Sequence, residues 1–305
     1  MAVSSTTPMF QGSFPALITP FKNGKVDIDG FRSFVEWQIG QGSHGLVPVG
    51  TTGETPTLSH EEHKEVVAQC VAAARGRVPV IAGAGSNSTD EAIELTEFAK
   101  SVGAAATLHS TGYYNKPTQE GLYLHFKAIN DAVALPFIVY NVPVRTIVDI
   151  QPQTMARIAE LEHFAGIKDA TANMARQSQH RQVIRRAFSA LSGEDGTALG
   201  FNAHGGDGCI SVTANVAPKQ CAEFQDLCRK GDYKAALRLH DHLMPLHDAL
   251  FCETNPAPVK YAAWRLGLIG SPECRLPMAP LTEASRRLVD DALTKAGLLK
   301  ANAAE

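Results

Sequence analysis

The chain has no C-x-x-C pair, no marked excess of charge and no long apolar run. Each absence closes off a class of protein. Its six cysteines (Cys70, Cys209, Cys221, Cys228, Cys252, Cys274) are scattered, which argues against a disulfide framework and for reduced thiols in a cytoplasmic protein. The 28 basic and 31 acidic residues nearly cancel, to −3, so the basic footprint of a nucleic-acid binder is missing. The longest strongly apolar uncharged run, Ala132 to Val144, contains Pro136 and Asn141 and is too short to cross a bilayer. The first basic residue is Lys22, so no charged segment leads an apolar one in the manner of an export signal. Neither a membrane nor a nucleic acid is therefore an expected partner.

Nucleotide and metal motifs are also missing. Gly83-Ala84-Gly85 follows a strand-like run, but the third glycine and the later acidic residue of a dinucleotide fold are absent. There is no G-x-x-x-x-G-K-[ST] phosphate loop. His60 and His63 do not form an H-E-x-x-H pattern, and His240, His242 and His247 do not share one helix face as ligands would. The last three are expected at the surface or an interface, and no metal or cofactor is expected.

What is present is a regular alternation. With 305 residues, 44 % hydrophobic and 19 % charged, the chain can bury a substantial core. Short β-branched runs recur at Ala16–Thr19, Gly45–Val49, Val78–Ala82, Ala104–Leu108, Phe137–Asn141, Ala165–Lys168, Ala190–Ser192 and Gly208–Ser211. Helical patterns separate them. Ser59 with Glu62, and Ser88 with Glu91, read as capping boxes. Val66, Val67, Cys70, Val71 and Ala74 then fall on one helical face. Eight strand–helix units of this kind point to an α/β (β/α)8 TIM barrel, with an open doubly wound sheet as the alternative. After about Cys221 the strands stop, and Asp232–Leu250, Pro256–Leu266 and Thr282–Ala296 read as helices. Residues 1–225 are thus expected to form a catalytic barrel and 226–305 a C-terminal helical domain.

Barrel chemistry sits at the C-terminal strand ends, where this chain places Gly50-Thr51-Thr52-Gly53-Glu54, Tyr113-Tyr114-Asn115, Tyr140-Asn141-Val142-Pro143-Val144-Arg145, Gly166-Ile167-Lys168 and Ser192-Gly193-Glu194. Lys168 closes an apolar strand. Gly166, two residues earlier on the same face, is expected to leave room around its amine. Desolvation on a barrel's inner wall lowers an amine's pKa and favours a nucleophile able to form a Schiff base. By position alone, a strand-end lysine snorkelling to solvent is the favoured reading. Tyr140, inward if Ile138 is inward, could shuttle protons beside that amine or simply be a core aromatic. The Thr51 and Thr52 hydroxyls suit carboxylate capture, and Arg145 could grip a second carboxylate with its guanidinium fork.

Taken together and in order, these motifs resemble the dihydrodipicolinate synthase family, within the pyruvate-dependent class I aldolase and N-acetylneuraminate lyase superfamily. The resemblance runs from about Phe10 to Leu298, including Ile210-Ser211-Val212-Thr213-Ala214-Asn215 and Leu281-Thr282. It implies a lyase in which Lys168 forms a Schiff base with pyruvate. Tyr140, Thr51 and Tyr114 would relay protons, with Tyr114 reaching in from a neighbouring subunit of a homotetramer (a dimer of dimers). Thr52 would hold pyruvate's carboxylate and Arg145 that of (S)-aspartate 4-semialdehyde. Backbone groups of Gly193 and Ile210 would line the pocket. The implied product is 4-hydroxy-tetrahydrodipicolinate, on the route to diaminopimelate and lysine.

The resemblance further implies feedback inhibition by lysine, bound by His60, His63, Asn87, Glu91 and Tyr113. Arg145 separates this reading from a retro-aldol lyase of a keto sugar acid, since a polyol tail wants hydroxyl partners rather than a guanidinium. A non-catalytic paralogue that binds keto acids or lysine is the other alternative. The chain departs from the family at Leu108-His109-Ser110-Thr111-Gly112, where an apolar strand ending Thr-Pro is usual. This is expected to loosen the hold on Tyr113 and Tyr114. Val144 and Ile147 also replace the common Ser and Gly beside Arg145.

Overall fold

The computed structural model describes residues 8–300. Seven parallel strands make one curled sheet: β1 (Gly12–Pro15), β4 (Ile81–Gly83), β5 (Ala106–Ser110), β6 (Phe137–Asn141), β7 (Phe164–Asp169), β8 (Ser189–Ser192) and β9 (Gly208–Ser211). Their order is β1-β9-β8-β7-β6-β5-β4. Two parallel bridges, Ala16 with Val47 and Leu46 with Val80, close the gap between β1 and β4. The Leu46–Val47 segment therefore takes the eighth staves' place, and the barrel expected from the alternating pattern is formed. A short hairpin, β2 (Phe21–Lys22) with β3 (Lys25–Val26), caps one end and was not foreseen.

The first strand lies four residues earlier than expected. Ala16, Leu17 and Ile18 are the more apolar stretch and are fully buried, but they run past the ladder. Beyond Ala16, the Leu17 N–H reaches the Val47 carbonyl and the Ile18 N–H donates to the Asn215 side chain. Gly12–Pro15 makes the ladder with β9 because Gly208 permits the approach: a Cβ there would lie 2.2 Å from the Gly12 carbonyl oxygen. The Gly45–Val49 run is reduced to its two bridges, since Pro48 has no N–H to donate and Val49 turns to φ +49°.

Helices α1 (Ile28–Gly40), α2 (His60–Ala74), α3 (Thr89–Ser101), α4 (Gln119–Ala132), α5 (Pro143–Thr146), α6 (Pro152–Ala159), α7 (Ala175–Val183) and α8 (Ala198–Ala203) fill the connections. The Ser59 capping box forms with both of its hydrogen bonds. At Ser88 only half does, because the Glu91 carboxylate is drawn away to Ser86 and His60. α9 (Pro218–Arg229) runs across residues 225 and 226 and packs on both β1 and the next helix. α10 (Tyr233–Ala249), α11 (Ala257–Arg265) and α12 (Glu283–Lys295) complete the C-terminal helical domain. Their ends fall within a residue or so of expectation because Asp232 and Thr282 cap α10 and α12 through their side chains. His247, expected at the surface or an interface, is buried within the chain, its ring against the Thr213 hydroxyl at 2.7 Å.

Candidate active site

The barrel interior is filled by Phe14, Val47, Ile81, Leu108, Ile138, Leu191 and Ile210, all apolar and all from strands or bridging segments. Period-2 alternation that turns Ile138 inward turns Tyr140 inward too. The register then sets Tyr140 beside Lys168, and Lys168 beside Leu191. Lys168 is only 6 % exposed, and its Nζ lies 4.1 Å from the centroid of the Tyr140 ring. Burial pushes the amine down to about 8, aided by the Arg145 charge and opposed by Cys209 and Asp195. The ammonium is thus inside the barrel mouth rather than snorkelling out. Burial pushes the Tyr140 phenol up to about 12, against the pull of Arg145 and Thr51.

The glycine that makes room for the lysine is Gly193, not Gly166. A Cβ at Gly193 would sit 3.2 Å from Lys168 Cε and 2.8 Å from the Ala170 Cβ, whereas one at Gly166 would strike the Ser189 carbonyl oxygen at 2.4 Å. Gly166 lets β7 approach β8; Gly193 leaves space beside the amine.

Above these groups opens a cavity of about 300 Å³. Its walls include Thr51, Thr52, Tyr113, Tyr140, Arg145, Lys168 and Gly193. Thr51 and Thr52 sit on a tight turn in which the Gly53 and Glu54 N–H groups bond back to Gly50 and Thr51. That turn lies close over Gly83, where a Cβ would come within 2.3 Å of the Val49 carbonyl oxygen. Arg145 lies on α5, exposed, and its guanidinium has no hydrogen-bond or ion-pair partner among the described residues. The cavity therefore combines a desolvated amine, a phenol, two hydroxyls and an unengaged guanidinium. Such a set can form an imine with a keto acid and still hold a second anion.

Sequence comparison bears directly on what the set is for. The profile of the dihydrodipicolinate synthetase family matches residues 9–296. The chain belongs to that family. The 4-hydroxy-tetrahydrodipicolinate synthase of Parvibaculum lavamentivorans is 64 % identical to it, over 95 % of this chain and 100 % of its own. The chloride-inhibited dihydrodipicolinate synthase of Acinetobacter baumannii, solved in complex with pyruvate, superposes with a TM-score of 0.92 at 48 % identity, covering 95 % of this chain and 99 % of its own. The enzyme of Cyanidioschyzon merolae, solved with lysine bound, superposes with a TM-score of 0.92 at 34 % identity, covering 96 % and 100 %. The family expected from the motifs is thereby established, and with it the barrel.

Three residues read from the family pattern lie differently from the rest. Tyr114 is 95 % exposed at φ +66° and does not line its own chain's cavity. Ile210 is buried one layer down in the barrel, and Val212 takes the wall position two residues on. Tyr113, assigned to the effector set, lines this cavity as well. The remaining effector residues gather where α2 and α3 begin. His60 Nε2 meets Glu91 Oε1 at 2.5 Å, and Asn87 donates to the Tyr113 carbonyl at 3.3 Å. His63 lies beneath them, and burial, with His60 nearby, pushes it down to about 4.

The unusual Leu108-His109-Ser110 segment is accommodated by direction. His109 turns outward under α3, within 2.9 Å of the Thr107 hydroxyl, and burial pushes it down to about 3. Ser110 turns to the cavity wall.

Sequence reading missed Phe251 and Asn255, which bring the C-terminal domain into the wall. Asn255 Nδ2 donates to Thr52 Oγ1 at 3.0 Å. Glu54, at φ +58°, forms a wholly buried pair with Lys260 at 2.7 Å and accepts the Arg275 N–H at 2.9 Å. An Asn-Pro step ahead of a helix was the only local signal of Asn255.

Proposed function

We propose that this protein is a lyase that condenses pyruvate with (S)-aspartate 4-semialdehyde to give 4-hydroxy-tetrahydrodipicolinate. The observation that carries this reading is the buried Lys168 amine against Tyr140, in a cavity whose outer wall holds a free guanidinium. The neutral amine adds to the keto carbon of pyruvate, and water leaves to give the iminium. The iminium withdraws electrons, so the methyl group loses a proton and an enamine forms. The enamine carbon bonds to the aldehyde carbon, whose oxygen takes up a proton. The amine of the new adduct then displaces Lys168 Nζ, closing the six-membered ring and freeing the enzyme. One water is released overall.

In this scheme Tyr140, Thr51 and Tyr114 move the protons, with Tyr114 supplied by a neighbouring copy of the chain. The Thr52 hydroxyl holds the carboxylate of pyruvate. It accepts a hydrogen bond from Asn255, which leaves its own proton free to donate into the cavity. Gly193 lines the site, with Ile210 in the barrel layer beneath it and Val212 at the wall. Arg145 grips the carboxylate of the aldehyde substrate as a fork. Lysine acts as effector at His60, His63, Asn87, Glu91 and Tyr113, where Glu91 exchanges His60 for the ligand's ammonium. That a relative was solved with lysine bound supports lysine as the ligand. The assembly is a homotetramer built from dimers, with residues 1–225 the catalytic part and 226–305 the helical part. Six free thiols suit the reducing cytoplasm.

The purified protein, given pyruvate and aspartate semialdehyde, is expected to yield the cyclic product by mass spectrometry and to leave N-acetylneuraminate uncleaved. Cleavage of a keto sugar acid without ring formation would overturn this reading.

A further inference from the structure

The segment that carries Arg145 is exposed at its tip and hydrogen-bonded to other elements at its neck. At the tip, Val144 is 85 % and Ile147 72 % exposed. Among the described residues, the side-chain hydrogen bonds of the tip stay within its own turn: Thr146 Oγ1 lies 3.1 Å from both the Val142 and Val148 carbonyls, and Ile147 adopts φ +65°. At the neck, the buried Asn141 side chain donates to Asp149 Oδ1 at 2.8 Å and accepts the Ile150 N–H at 3.2 Å. Arg176, reaching from α7 and itself buried, forks onto both Asp149 oxygens at 2.9 and 2.8 Å and also donates to the Ile150 carbonyl at 2.9 Å. Gln119 Nε2 donates to the Asp149 carbonyl at 2.9 Å. Against the opposing pull of burial, Arg176 and Asn141 hold the Asp149 carboxyl below its ordinary range.

This arrangement has a geometric consequence. Arg145 is a long side chain on a four-residue helical turn, and bidentate capture of a carboxylate tolerates only about 0.5 Å of misplacement. Val142, Thr146 and Val148 seat the turn by burial, but its directional contacts to other elements are those of the neck, so the neck sets the angle. A guanidinium fork fixes both distance and plane at Asp149, which a lysine point charge would not.

We propose that Arg176 is a positioning residue for the aldehyde substrate: acting through Asp149, it fixes the neck from Asn141 to Ile150 and so aims the Arg145 guanidinium. The proposal rests on the reading above in which Arg145 binds the carboxylate of that substrate.

Steady-state kinetics of Arg176→Gln, Arg176→Lys, Asp149→Asn, Arg145→Gln and the Arg176→Gln/Arg145→Gln double variant test it. Arg176→Gln is expected to raise KM for aspartate semialdehyde about tenfold, while KM for pyruvate stays within about twofold. Arg176→Lys recovers part of the loss. In the Arg145→Gln background, Arg176→Gln adds nothing, because the two act in series. Equal shifts for both substrates, or full additivity in the double variant, would overturn the proposal. If Arg145→Gln itself leaves the aldehyde KM unchanged, the assignment of Arg145 fails; if that variant is impaired and Arg176→Gln is not, the positioning role alone fails. Should Arg176→Gln not fold, Asp149→Asn removes the charge facing the fork and one of its two acceptor oxygens and carries the same two criteria.

Discussion

Lys168 and Tyr140, on paired strands, are buried to within a few per cent, whereas Tyr114 and Val144 near the same cavity mouth are almost fully in water. The inner half is complete within one chain. Its amine, phenol and hydroxyls are fixed by strand register, by two close glycine approaches, and by Asn255 and Lys260 from the C-terminal domain. The outer half ends in apolar side chains at left-handed backbone positions, Tyr114 and Ile147. The difference teaches that one cavity can be rigid at its base and open at its rim: a single chain buries the amine and phenol, while Tyr114, Val144 and Ile147 stand in water.

The comparison breaks first at the nucleophile. Lys168→Met is expected to abolish ring formation by at least ~10³-fold in a product assay, with the fold intact by circular dichroism. Next comes the anchor of the inner half. Glu54→Gln leaves the Lys260 charge buried without a carboxylate, and urea unfolding should show a loss of about 3–5 kcal/mol. A midpoint unchanged within error would mean that the pair does not hold the Thr51–Thr52 turn.

A smaller effect tests the outer half. Tyr114→Phe is expected to lower kcat about 10²-fold. If Tyr114 serves a neighbouring chain, mixing and reassembling Tyr114→Phe with Lys168→Met subunits restores activity that neither has alone. No recovery would place Tyr114 in its own chain's site. Smallest is the effector side: Glu91→Gln should raise the lysine concentration for half-inhibition about tenfold, read from inhibition curves.

How much of this was legible in sequence follows from where each signal lies. Lys168 stood out as a lysine closing an apolar run, but position alone favoured snorkelling and only the family pattern put it in the site; α12 was legible because Thr282 caps it beside an amphipathic stretch. The first strand was misplaced because apolarity reports burial, and Leu17 and Ile18 are buried beyond the ladder, with Ala16 held only in an isolated bridge. The Ser88–Glu91 box was only half right, since the pattern cannot reveal that His60, on another helix, competes for the carboxylate. Asn255 and Lys260 were beyond reach for a similar reason. Each acts on a residue more than two hundred positions earlier, and no periodicity encodes that contact. The family pattern named Thr51, Thr52, Tyr140, Arg145, Lys168 and Gly193, which the fold brings to one cavity, but not the parts that hold them still.

The central claim is that the Lys168 amine is a nucleophile made available by burial. Borohydride reduction in the presence of pyruvate, followed by peptide mass mapping, tests it most directly. The account predicts a reduced pyruvyl adduct on Lys168 alone. Its initial rate of formation should climb about tenfold per pH unit below about 8 and level off above it, because only the neutral amine attacks. An adduct on any other lysine, no adduct at all, or a rate still rising steeply above pH 10 would contradict it.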